Sequence, residues 1–156
     1  MKLAVFSDIH ANFSALCAAL RSVEKGGAEL KLNIEGHEIL MVHGSPVSDK
    51  DSIYPSITRE GLRSKIGEQH PDILICGHTH IPFTRKVSGV LVVNAGAVGT
   101  SIDGDPRGSY AFIELKKGLN PRAVIVRFTY GYDNVADDIE RRKVPGVNAG
   151  LFRKGL

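Results

Sequence analysis

Three short apolar runs constrain this chain most, because each delivers a metal-binding side chain at its end. Leu3-Ala4-Val5-Phe6 leads into Ser7-Asp8-Ile9-His10, Ile39-Leu40-Met41-Val42 into His43-Gly44, and Ile73-Leu74-Ile75-Cys76 into Gly77-His78-Thr79-His80. Runs this short and this rich in branched residues read as buried strands. Open α/β sheets place their sites just beyond strand ends. Asp8, His10, His43, His78 and His80 are therefore the candidate metal ligands. Neutral imidazole with carboxylate is the donor set of zinc, manganese, iron or nickel.

Between these runs the pattern predicts an α/β fold. Leu3–Ser7 reads as a buried parallel strand. Asn12 is placed to cap a helix with Phe13, Leu16, Leu20 and Val23 on one face, ended by Gly26-Gly27. Leu30–Ile34 alternates and turns through Glu35-Gly36-His37 into Ile39–Val42, a hairpin. Residues 44–55 form a polar loop, and a helix over about 56–68 carries Ile57, Leu62 and Ile66. Asp72–Gly77 is a strand, and Phe83–Val87 with Val90–Asn94 flank Ser88-Gly89 as a second hairpin. Tyr110–Leu115 and Ala123–Thr129 are strands, Asp133–Arg142 is an amphipathic helix, and the final residues are expected to be loose. Mostly antiparallel strands after one βα unit imply two packed mixed sheets flanked by helices.

With 156 residues, 42% apolar and 24% charged, the chain is a single domain able to bury a core. A net charge of +3 without a basic run, and six Phe, four Tyr and no Trp, give no indication of nucleic-acid binding. No apolar stretch approaches the roughly 20 residues of a membrane span. No signal-peptide pattern stands at the start, so a cytoplasmic location is expected. Cys17 and Cys76 read as buried free thiols rather than a disulfide.

The motifs resemble those of the calcineurin-like metallophosphoesterases, in their small bacterial and archaeal phosphodiesterase branch. The family pattern runs D-x-H, G-D, G-N-H-[DE], H-G and G-H-x-H. Asp8-Ile9-His10 matches the first element, His43-Gly44 the fourth and Gly77-His78-Thr79-His80 the last. Asn94-Ala95-Gly96-Ala97-Val98-Gly99 is similar to the family's N-P-G-S-V-G loop, and Asp103-Gly104-Asp105-Pro106-Arg107 with Ser109-Tyr110 also resembles that branch. The resemblance implies an αββα sandwich and hydrolysis of phosphodiester or nucleotide-like phosphates by a metal-activated water.

Two elements are missing. No G-D follows the first predicted helix, and G-N-H-[DE] is absent; Gly36-His37-Glu38 lacks the Asn and sits in a hairpin turn. The gap amounts to an apparent family deletion near residues 29–31. If the first helix returns to the far end of the sheet, the chain must cross the sheet between Gly27 and Leu30. Three or four residues reach at most about 13 Å, while a strand is roughly 17–20 Å long. Three arrangements are open: Glu29 and Lys31 are not true neighbours; the N-terminal unit docks differently or exchanges between protomers; or Leu30–Ile34 replaces the lost strand, bringing Glu35 to the site and carrying His43 away.

By resemblance, one ion takes Asp8, His10 and His80 and a second takes His43 and His78, both sharing the absent bridging Asp. Two histidines and one carboxylate suffice for a single ion with open positions, whereas two histidines alone are a poor site. The expectation is one firm divalent ion, manganese first and iron, nickel or zinc as options, with a weak or absent second. No catalytic residue is assignable beyond the ligands. The competing class is a catalytically impaired binding or scaffold protein that keeps part of the site. A small phosphorylated substrate and a homodimer are the expected partners. Plainer readings are that Asp8 caps the first helix, that His43 is a core histidine, that His37 and His70 are solvated, and that Asp49, Asp51, Asp103 and Asp105 form turns.

Overall fold

The computed structural model describes residues 1–8 and 29–156. The predicted first helix, His10 and Cys17 lie outside the described residues. Among the described residues, eight strands and three helices follow in order: β1 (Lys2–Val5), β2 (Glu29–Ile34), β3 (His37–Val42), α1 (Arg59–Ile66), β4 (Ile73–Cys76), β5 (Phe83–Val87), β6 (Val90–Asn94), β7 (Gly108–Glu114), β8 (Arg122–Phe128), α2 (Tyr132–Arg142) and α3 (Ala149–Phe152).

Two sheets form, one of three strands in the order β1-β7-β8 and one of five in the order β2-β3-β4-β6-β5. Among the described residues the smaller sheet is antiparallel, so β1 is not the buried parallel strand expected but a partly exposed edge strand against β7, with Val5 opposite Ala111. The larger sheet is mixed: β3, β4 and β6 run parallel, and hairpins add β2 and β5 at its edges.

Strand β4 shows why the chain layers as it does. All four of its residues are buried, and the pleat sends alternate side chains to opposite faces. Ile73 and Ile75 join Ile39, Val93, Ala111 and Ile113 between the sheets, while Leu74 and Cys76 join Leu40, Val92, Ile53, Leu62 and Ile66 beneath α1. Helix α1 begins at Thr58, whose Oγ1 accepts from the Gly61 N–H at 3.0 Å. Burial pushes the free Cys76 thiol up to about 12, which keeps it inert.

The first predicted hairpin forms with a two-residue turn, Glu35 and Gly36 at φ +54° and +77°, the type I′ geometry that matches strand twist. Glu29, Leu30 and Lys31 are successive rungs of β2, facing Val42, Met41 and Leu40. The strand therefore starts at the end where β3 delivers His43. Because β3 lies parallel to β4, His43 and the Gly77–His80 turn emerge together. The arrangement that would carry His43 away does not form.

Two further expectations change. His37 is buried, not solvated: it opens β3, and its Nε2 lies 3.3 Å from the Lys116 carbonyl. The C-terminus is not loose. Asn148 caps α3 through the Gly150 N–H at 3.0 Å, Arg153 pairs with Glu140 at 2.8 Å and with Asp137, and the Gly155 carbonyl accepts from Gly104 N at 2.8 Å. His70 is exposed, as expected.

Candidate metal centre

Strands β1, β3, β4 and β6 end around one group of loops, and four of the five predicted donors meet there. Asp8 Oδ1 lies 3.3 Å from His80 Nε2, and His78 Nδ1 lies 3.2 Å from His43 Nε2. The His78 N–H donates to Asp8 Oδ2 at 3.1 Å, joining the two pairs. The fifth donor, His10, lies outside the described residues. His43 is exposed, which removes its reading as a core histidine.

The turn that aims these groups is strained. Asp8, His78 and His80 have φ of +52°, +63° and +55°, a left-handed conformation that Asp and His tolerate better than most residues but that still costs free energy. Gly77 permits the close approach of the two chain segments. A Cβ there would fall 1.9 Å from Ser7 Oγ and 2.8 Å from Asp8 Oδ2, so a side chain fits only if Ser7 or Asp8 moves.

Supporting partners fix the first pair. The Thr100 carbonyl is 2.6 Å from His80 Nδ1; a carbonyl only accepts, so Nδ1 carries the proton and Nε2 faces Asp8. Burial of Asp8 opposes ionisation, but hydrogen bonds from His80, Ser7 and the His78 N–H prevail and lower its pKa to about 2. The Asp8 carboxylate raises the pKa of His80 against the opposing effect of burial, with help from the Thr100 carbonyl.

Donor spacing fits an ion. Ligands about 2.1 Å from a tetrahedral ion stand roughly 3.4 Å apart, near the separations within both pairs. Among the described residues, no three His, Cys, Asp or Glu side chains form a group able to hold an ion.

Several supports carried no signal in the sequence. The Thr100 carbonyl is backbone, and Ser7 takes its role only from its hydrogen bond to Asp8. Asp51 and Asp103 are cross-links, not merely turn formers: Asp51, in the loop after His43, accepts from Ser45 and from Lys65 of α1, and Asp103 pairs with Arg127. Asp105 does form a turn, accepting from the Arg107 N–H at 3.0 Å.

Two packed sheets with histidines and a carboxylate at adjoining strand ends define a metallophosphoesterase-like architecture. The chain belongs to the calcineurin-like phosphoesterase superfamily, whose domain model matches residues 21–118, more than half of its length. It is similar to an uncharacterized protein of Methanocaldococcus jannaschii, with 23% identity over 130 residues, 72% of this chain and 50% of the relative. A metallophosphoesterase from Sphaerobacter thermophilus shares the fold at a TM-score of 0.68 and 22% identity, over 89% of this chain and 62% of that one. A hypothetical protein from Pyrococcus horikoshii does so at 0.69 and 18% identity, over 92% and 57%. The chain thus spans about half the length of the curated relative and about six tenths of these structures. Among the described residues, no helix is long and apolar enough to cross a membrane.

Proposed function

We propose that this chain is a metal-dependent phosphoesterase acting on phosphodiester or nucleotide-like phosphates. The observation that carries the reading is the pairing of Asp8 Oδ1 with His80 Nε2 at 3.3 Å, beside His43 and His78 at 3.2 Å, in a member of this superfamily. Asp8 and His80, with His10, would hold one divalent ion, manganese being the first choice; His43 and His78 would hold a second more weakly. Bound there, an ion supplies a metal-activated water and charge stabilisation at the phosphoryl oxygens. The protein's own part is to keep Asp8 ionised and to fix the His80 tautomer through the Thr100 carbonyl. His43, exposed to solvent, and the half-buried His78 stand beside that pair.

A second reading is favoured by the lack of a G-D after the first predicted helix and of any G-N-H-[DE]: a catalytically impaired binding or scaffold protein with a partial metal site. Turnover of a generic aryl phosphodiester with added Mn2+ separates the two. The enzyme reading expects a rate that His80→Ala abolishes. A rate no higher than that of His80→Ala under every divalent metal leaves only the binding reading. The partners proposed are a small phosphorylated substrate and a second copy of the chain, and the location cytoplasmic.

A further inference from the structure

We propose that Asn94 is a positioning residue that keeps both donor pairs in register; the proposal rests on the metal reading above. Asn94 ends β6 and is fully buried. Its Nδ2 donates to the Gly77 carbonyl at 2.8 Å and to Thr79 Oγ1 at 2.9 Å, gripping the turn that carries His78 and His80. Its Oδ1 accepts from the Gly96 N–H at 2.9 Å, gripping the loop that follows.

Each side of that amide leads to the donors. On the loop side, Val98 N donates to the Ser7 carbonyl at 3.1 Å, next to Asp8, and the Thr100 carbonyl accepts from His80 Nδ1 at 2.6 Å. On the turn side, Gly77 N donates to the His43 carbonyl at 2.8 Å. One side chain therefore cross-connects the segments that bring in Asp8, His43, His78 and His80. The left-handed backbone of His78 and His80 persists only where surrounding contacts over-determine it, and Asn94 supplies two of those contacts.

The chemistry is specific to an amide. A carboxylate at this position would accept from Gly96 N–H but would present oxygen to the Gly77 carbonyl, where a donor is required. A hydrocarbon would leave the buried Gly96 N–H without this acceptor.

The test compares Asn94→Asp with Thr79→Ser, which keeps the hydroxyl, and with Leu62→Ala, a core change beneath α1. Two readouts are taken: Mn2+ affinity by chelator competition, and amide hydrogen exchange in the metal-free protein. Asn94→Asp is expected to weaken Mn2+ binding roughly 10–100-fold, the usual effect of losing a partner that orients a ligand. It also accelerates exchange at the His78 and Val98 amides while Leu74 in β4 stays protected. Thr79→Ser behaves like the native protein, and Leu62→Ala lowers Tm without changing affinity. Thr79→Val, which removes one partner of the amide, gives a smaller loss in both readouts and decides the matter if Asn94→Asp does not fold.

A folded Asn94→Asp protein with native exchange at His78 and Val98 overturns the proposal, as does an equal affinity loss in Leu62→Ala. A native protein that takes up no Mn2+ overturns the metal reading instead. The exchange pattern then still decides the role of Asn94.

Discussion

The two donor pairs lie side by side, yet they are built differently. Around Asp8 and His80 the protein has arranged Ser7, the His78 N–H and the Thr100 carbonyl, and the two side chains are only 5% and 17% exposed. His43 and His78 have each other, ring against ring with centroids 5.0 Å apart, and His43 stands in solvent. Opposite charge, burial and a fixed His80 tautomer make a preorganised pair; an exposed imidazole against a half-buried one does not. The comparison teaches that the two pairs are unequal in burial and support, which makes the Asp8–His80 pair the better candidate for the proposed ion.

The largest effect that would break this comparison concerns which histidine matters. His80→Ala should weaken the tightest divalent-ion binding by more than about 100-fold, beyond the usual cost of losing a mere supporting partner. His43→Ala should leave that first equivalent within about threefold. Isothermal titration with Mn2+ reads both, and the reverse order would invert the ranking of the pairs.

Next in size is Gly77→Ala. The added methyl must displace Ser7 or Asp8, so stability falls by about 1–3 kcal/mol and tight metal binding is lost with it. Denaturant unfolding and metal titration on the same sample check this. Tight binding retained in the variant would mean that Ser7 alone yields to the methyl and that Asp8 keeps its place.

The pH response of the metal-free protein sharpens the contrast with a smaller effect. Asp8 is lowered from 3.8 to about 2. Its contribution, of the order of 1–2 kcal/mol, is therefore present above about pH 4 and is lost as pH falls toward 2. His80 is raised above 6.5, so its contribution is complete below that pH and is lost as pH rises through the folded value. Asp8→Asn should flatten both limbs of a stability–pH profile, whereas His43→Ala should leave them in place. Metal binding runs the other way on the alkaline side: it requires deprotonated His80 Nε2 and releases that proton.

Smallest is the effect on association. β1 and β2 are the edge strands of their sheets among the described residues, and such edges are commonly covered by another chain. A homodimer is the expected species in solution scattering, and a monomer at all concentrations would contradict it.

Much of this was legible because periodicity and turn chemistry agree locally. The hairpin at Ser88-Gly89 and the strands on either side of it form over the residues that the turn dipeptide and its flanking runs indicated. The all-apolar run before Gly77 proved to be the central buried strand. The direction of β1 was not legible, since a short apolar strand reads the same whether its neighbour is parallel or antiparallel. His37 was misjudged because its partners, the Lys116 carbonyl and Asp72, are distant in sequence. The C-terminal residues are held by Arg153, whose acidic partners lie on α2. At the site, the donors were visible as side-chain types at strand ends, but their supports are largely backbone groups and one buried amide, which carry no signal of their own.

Metal stoichiometry in a chelator-competed titration tests the central claim most directly. One Mn2+ equivalent bound tightly, lost in His80→Ala and retained in His43→Ala, is the predicted result. Two equally tight equivalents, or tight binding that survives His80→Ala, would contradict it.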